Sequence, residues 1–224
     1  RVSGLEEAVI GRDLHGHAGI GHTRWATHGE PSDRNAHPHL STGGRLAMIH
    51  NGIIENYHQL KNELVKKGYR FKSDTDTEVL LNFIEYVQNN NRCSLEEALR
   101  IALKRVVGAY VIVLLDRDHP DILIAARKGS PLVIGIGRGE HFLASDASPI
   151  IEYTKEVVYV NDYELAIIKS DELVLKNPGN EKITPNIQKL DLELTAIEKG
   201  GYDFFMLKEI FEQPDTVFDC LRGR

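Results

Sequence analysis

The spacing of apolar positions divides the chain into a polar opening, a helical middle and a strand-rich end. Within 56–67, Tyr57, Leu60, Leu64 and Val65 share one helical face, and Gly68 supplies a stop. A second face, Val79, Leu80, Phe83, Ile84 and Val87, follows a helix opening at 73–76. Ser94-Leu95-Glu96-Glu97 then reads as a capping box for a third helix carrying Ala98, Ile101, Ala102 and Val106. After Gly108 the pattern changes to short apolar runs at 109–115, 121–126, 132–137, 141–144, 157–160, 164–168 and 172–175, divided by turn clusters. Such runs predict consecutive antiparallel strands. Helices flanking a strand-rich core predict a layered α+β domain.

The ends are less regular. Leu5, Val9 and Ile10 fit one face of a short helix, 13–17 reads as loop, 18–25 as a strand and 30–40 as a loop. A strand at 45–50 delivers Asn51-Gly52 at its end, and 69–72 reads as a short strand. Beyond 200, Phe204, Phe205, Leu207, Ile210 and Phe211 precede Pro214, after which Val217, Phe218 and Leu221 suggest the start of another helix.

Composition narrows the functional classes. A chain of 224 residues, 42% hydrophobic, can bury a substantial core. Its net charge of −6, with both signs interspersed, leaves no basic stripe, so no nucleic-acid partner is expected. No apolar run approaches the roughly 20 residues of a membrane span, and no signal-peptide pattern opens the sequence. Cys93 and Cys220 are too few for a disulfide framework, and a cytoplasmic protein is expected.

Candidate chemistry concentrates between Gly21 and Asn56, which hold His22, His28, His37, His39, His50 and the only tryptophan, Trp25. Taken singly, these residues have ordinary readings: a surface arginine and a core tryptophan at Arg24-Trp25, a hairpin turn at Asn51-Gly52, a helix N-cap at Asp76. Yet Ile53-Ile54-Glu55-Asn56 runs on into a helical pattern, so Asn51-Gly52 reads as a strand-to-helix turn with exposed amides, suited to holding an oxyanion. His15-x-His17 and His37-x-His39 invite a metal reading, but no H-E-x-x-H or cysteine pair accompanies them, and no metal or cofactor is expected. Gly135-Ile136-Gly137-Arg138-Gly139 lies between two strand-like runs and reads as a hairpin turn, not a phosphate loop.

Taken together, H-T-R-W-A-T-H-G, N-A-H-P-H, H-N-G-I-I-E-N and S-D-T-D-T-E, with A-A-R-K-G-S-P-L-V-I-G, F-L-A-S-D-A-S-P and K-E-I-F-E-Q-P further on, resemble the glutaminase domain of the glutamine–fructose-6-phosphate aminotransferases. These belong to the class II, N-terminal-nucleophile amidotransferases. The resemblance runs from about Gly19 to the end of the chain. It implies a four-layer αββα sandwich of two mainly antiparallel sheets, a glutaminase domain over 1–199, and a linker toward a sugar-phosphate isomerase domain over 200–224. It implies hydrolysis of L-glutamine, ammonia supplied to the isomerase domain for fructose 6-phosphate, and a homodimeric parent enzyme.

The resemblance also assigns residues. Arg24 would bind the α-carboxylate of glutamine, because a guanidinium fork offers two parallel hydrogen bonds that lysine cannot copy. Asp76 would hold the α-ammonium, and Asn51 and Gly52 would stabilise the oxyanion. Trp25, Thr27, His28 and His37 would line the pocket; His22, His50 and His58 read as structural. The family's nucleophile is an N-terminal cysteine whose own α-amino group is the base, and here the chain begins Arg1-Val2-Ser3-Gly4. The expectation is therefore a lobe lacking its N-terminal segment and inactive by itself. Another class II amidotransferase, and an inactive glutamine-binding module, are the rival readings.

Overall fold

The computed structural model describes residues 2–13, 15–190 and 201–221. Helix α1 (Val2–Val9) leads into an irregular stretch, a 3-10 turn (Asp33–Asn35), then β1 (His39–Leu40) and β2 (Leu46–Ile54). Helices α2 (Tyr57–Lys66), α3 (Asp76–Asn91) and α4 (Leu95–Leu103) follow as the three apolar faces predict. Ser94 accepts the Glu97 N–H at 3.2 Å, as its capping box requires.

The strand-rich end forms β3 (Gly108–Asp116), β4 (His119–Lys128), β5 (Val133–Ile136), β6 (His141–Ala144), β7 (Glu156–Tyr159), β8 (Leu165–Ile168), β9 (Leu173–Lys176), β10 (Lys182–Ile183) and β11 (Ile187–Lys189). A seven-stranded antiparallel sheet runs β1-β2-β3-β4-β8-β9-β10; a four-stranded one runs β11-β7-β5-β6. The hairpin expected at Gly135 to Gly139 joins β5 to β6, closed by Gly137 N–H donating to Glu140 at 3.0 Å.

Alternation along the strands sorts the core into layers. Ile112, Leu114, Ile124 and Ala126 face α2–α4 and pack with Phe83, Leu80 and Leu99. Their neighbours Val111, Val113 and Ala125 face the small sheet and pack against Ile134 and Val158. The outer face of the small sheet, through Val133 and Val157, is covered by Ala147, Ile150 and Ile151. Those three lie in turns, so among the described residues one helical layer, not two, flanks the paired sheets.

Four local expectations change. Residues 18–25 form no strand: they line a groove with no ladder partner among the described residues, and the Arg24 N–H is taken by the His22 ring at 2.9 Å. Residues 69–72 form none either, because Tyr69 N–H caps α2 at Leu64 and Lys72 N–H is held by the Glu78 carboxylate at 2.9 Å. β2 continues through Asn51-Gly52 to Ile54, so the step lies inside a strand. The helix expected to begin after Pro214 is a single one, α5 (Phe205–Leu221), running across that proline; its ring removes one intrahelical donor while helical spacing continues on both sides. The boundary expected at 199/200 and the Cys220 side chain lie outside the described residues. Among those residues no helix is long and apolar enough to cross a membrane.

Candidate functional site

The site grows from the uneven lengths of β1 and β2. β1 pairs only with Ala47 and Met48, so from His50 onward that edge of β2 has no strand beside it among the described residues. His50 N–H leaves the edge toward His37 Nδ1 at 3.5 Å, and Ile54 N–H donates to Asp76 Oδ2 at 2.8 Å. Strand alternation sends the N–H of Gly52, between them, to the same side. Gly52 itself sits at φ +123, where its missing Cβ leaves room for the Ala109 carbonyl of β3.

Helix α3 brings the carboxylate. Thr75, not Asp76, is its N-cap: Thr75 Oγ1 accepts the Glu78 N–H at 3.2 Å, and the Glu78 carboxylate reaches back to Ser73 N–H at 2.7 Å. Asp76 is thereby free of capping duty and stands in the first turn, where the helix dipole favours negative charge. It is 3% exposed, accepting also from Thr77 N–H at 3.0 Å.

The loop before β1 brings the rest. The fully buried Asn35 donates to Glu30 at 3.1 Å and accepts Asp74 N–H at 2.9 Å, tying the loop to the start of α3. Arg24, in the left-handed region at φ +43, aims its guanidinium at the same loop: Nη2 donates to the carbonyls of His28 (2.8 Å) and Gly29 (3.1 Å), and Nη1 to Glu30 (3.1 Å).

Arg24, Trp25, Thr27, His28, His37, Asn51, Gly52 and Asp76, all singled out in the sequence, line one cavity of about 140 Å³. Its other walls are His22 and His50, which the sequence left as structural groups, and Thr75 and Thr77, which it did not single out. His22, Arg24, Trp25, His50 and Asn51 also border a groove of about 870 Å³ between the sheets, with Val111, Val113 and Leu132 on its walls. Trp25 is 91% exposed at the rim, so it is not the core residue its type suggests. His58 stacks on Tyr57 outside the cavity, and Cys93 packs against the helical core.

The cavity is polar and incompletely satisfied. Among the described residues, His28 Nδ1, 4.0 Å from Asp76 Oδ1, and His50 Nε2 are buried without a hydrogen-bond partner, the condition of a surface shaped for a polar ligand. Burial pushes His37 down to about 3, helped by neighbouring His22, His39 and His50. Burial likewise lowers His50 to about 4, with Asp76 opposing, and lowers His39. All three rings are therefore neutral at physiological pH.

A pH effect follows for His50, whose folded pKa lies below its unfolded value near 6.5. Its contribution is fully present above about 6.5 and is lost as pH falls toward 4. It adds up to about 1.4 kcal/mol per pH unit to the slope of unfolding free energy in that window. Denaturant titrations at pH 7, 6 and 5 should show a shallower loss for His50→Gln than for the parent; equal slopes would remove His50 as the titrating group.

Comparison with known proteins matches the chain and its fold to a family. Over its full length the chain is 57% identical to the isomerising glutamine–fructose-6-phosphate aminotransferase of Bacteroides thetaiotaomicron, and over 94% of its length 48% identical to that of Pyrococcus horikoshii. It spans 37% and 35% of those two relatives, little more than a third of each. The structure resembles the glutamine phosphoribosylpyrophosphate amidotransferase of B. subtilis with a TM-score of 0.57 at 26% identity, covering 70% of this chain and 34% of that one. The family model for the glutamine amidotransferase domain matches residues 11–201, and the chain belongs to that family.

Proposed function

We propose that this chain is the glutaminase unit of an isomerising glutamine–fructose-6-phosphate aminotransferase, hydrolysing L-glutamine and passing ammonia to a sugar-phosphate isomerase unit of a homodimeric protein. Similarity over the whole of this chain to enzymes of that name supports this over other class II amidotransferases. The carrying observation is the meeting of a guanidinium, a buried carboxylate and the Asn51-Gly52 step in one cavity. The αββα form proposed for the whole protein would draw its second helical layer from residues beyond those described, and residues 200–224 would lead toward the isomerase unit.

In this reading the nucleophile is a cysteine thiolate supplied from outside these residues, with its own α-amino group as base; at a reference pKa of roughly 7.7–8.0 part of that amine is unprotonated at neutral pH. The thiolate adds to the side-chain carbonyl of glutamine, and the negative oxygen formed there is met by Gly52 N–H and the Asn51 amide. Collapse to a thioester releases ammonia, which takes its proton from the α-ammonium, and water then frees glutamate. Asp76 draws the substrate ammonium into the cavity, and His28, His37, Thr27 and Trp25 form its walls.

Arg24 takes the α-carboxylate. Both edges of a guanidinium fork use Nη2, whose two hydrogens here face His28 and Gly29 carbonyls. Substrate binding therefore replaces neutral acceptors with a charged one, and the 28–30 loop must yield. Arg24→Lys keeps the charge and loses the fork. In the full-length enzyme it should lower kcat/KM for glutamine about 10- to 100-fold, the loss of charged hydrogen bonds. Unchanged glutamine kinetics would take Arg24 out of the site.

A further inference from the structure

The oxyanion reading requires that Asn51 present its N–H2, not its carbonyl, to the cavity. A side-chain amide alone has no reason to choose, since its two ends differ little in shape and either can face a polar space. The choice is made by His22. Its Nδ1 lies 2.9 Å from the main-chain N–H of Arg24, and a main-chain N–H can only donate. Nδ1 must therefore be the unprotonated nitrogen, which leaves the ring proton on Nε2. Nε2 stands 2.7 Å from the Asn51 side chain and, carrying hydrogen, requires an acceptor there. That acceptor is Oδ1, so the Nδ2 donors are turned away from His22. The ring is itself held in place, packed at 4.5 Å between centroids against His37.

We infer that His22 is a positioning residue: with its tautomer fixed by the Arg24 main chain, it locks the Asn51 amide with its donor end available to the oxyanion. This deepens the proposed glutaminase reading and rests on it. It also couples the two halves of the site, because the N–H that sets the His22 tautomer belongs to the residue assigned to the substrate carboxylate. The left-handed backbone at Arg24 brings that N–H back toward the ring two residues earlier.

Two conservative variants separate positioning from scaffolding in the full-length enzyme. Asn at position 22 places an acceptor where Nδ1 stood and satisfies Arg24, but is too short to reach Asn51. Gln places an N–H near the Nε2 position and reaches Asn51, but gives up the Arg24 contact. His22→Asn should lower kcat for glutamine hydrolysis about tenfold, the loss of one orienting hydrogen bond, with KM within about twofold. His22→Gln should hold kcat within about threefold. In the Asn51→Ala background, His22→Asn should cost no further rate, because the amide it orients is gone.

A parent-like rate for Asn51→Ala overturns the oxyanion reading and this inference with it. A slow Asn51→Ala enzyme beside a parent-like His22→Asn, a His22→Gln slower than His22→Asn, or full multiplication of the two effects in the double variant, overturns the role of His22 alone. Should neither variant fold, neutron diffraction from the deuterated full-length enzyme decides: deuterium on His22 Nε2 supports the lock, and deuterium on Nδ1 alone refutes it.

Discussion

Asn51→Ala in the full-length enzyme is expected to slow glutamine hydrolysis by about 10²–10³, the usual consequence of removing one oxyanion donor. KM for glutamine and the melting temperature should change much less. The reason lies in where the side chain stands. Asn51 pairs with Val111 through its main chain, and that ladder is indifferent to the side chain. Among the described residues the side chain makes one protein hydrogen bond, to His22, and otherwise faces the cavity. In the proposed glutaminase reading its donor end acts on charge that exists only as the tetrahedral intermediate forms, so the loss falls on kcat and not on ground-state binding. Stopped assays of glutamate release, with circular dichroism to verify the fold, measure both. A folded Asn51→Ala enzyme working at the parent rate would make Asn51 a structural residue of β2.

Gly52→Ala should behave in the opposite way, destabilising the fold by about 3 kcal/mol or more and losing activity as a consequence. A Cβ at position 52 would lie 2.2 Å from the carbonyl oxygen of Ala109 on β3, a rigid main-chain atom with nowhere to go. The residue also occupies φ +123, a region closed to side chains. Gly108 stands opposite Ile54 in the same ladder at φ +126, and its Cβ would lie 2.1 Å from the Ile53 carbonyl. Together the two glycines let β2 and β3 approach where the site is built. The denaturant midpoint is the measurement, and an unchanged midpoint would show that the ladder relaxes around the added methyl. Read as a pair, Asn51→Ala removes rate and keeps the fold, whereas Gly52→Ala removes the fold and rate with it.

Much of this architecture was legible in the sequence where a local rule governs. Apolar spacing placed α2, α3 and α4, whose buried faces are those of Leu60, Leu80 and Ala98. Alternation and turn clusters placed β3 to β9, and the Gly135 hairpin, because a strand half-exposed to each of two cores writes its period into the chain. The motifs from Arg24 to Asp76 named eight residues that share one cavity, since groups that must meet one small ligand are recruited with recognisable spacing.

Tertiary structure decided what depends on partners distant in the chain. Residues 18–25 have strand-like composition and no strand, because a ladder needs a neighbour and the Arg24 N–H turns instead to the His22 ring. Asn51-Gly52 reads as a turn and is strand, because Ala109 and Tyr110 across the ladder extend β2 past it. Thr75 displaced Asp76 as the cap because the Ile54 N–H, 22 residues earlier, claims that carboxylate. His22 looked structural, since nothing local reveals that its two nitrogens bridge the Arg24 main chain and the Asn51 amide. Periodicity records which face of an element is dry; which donor meets which acceptor across the fold is fixed only when the elements are packed.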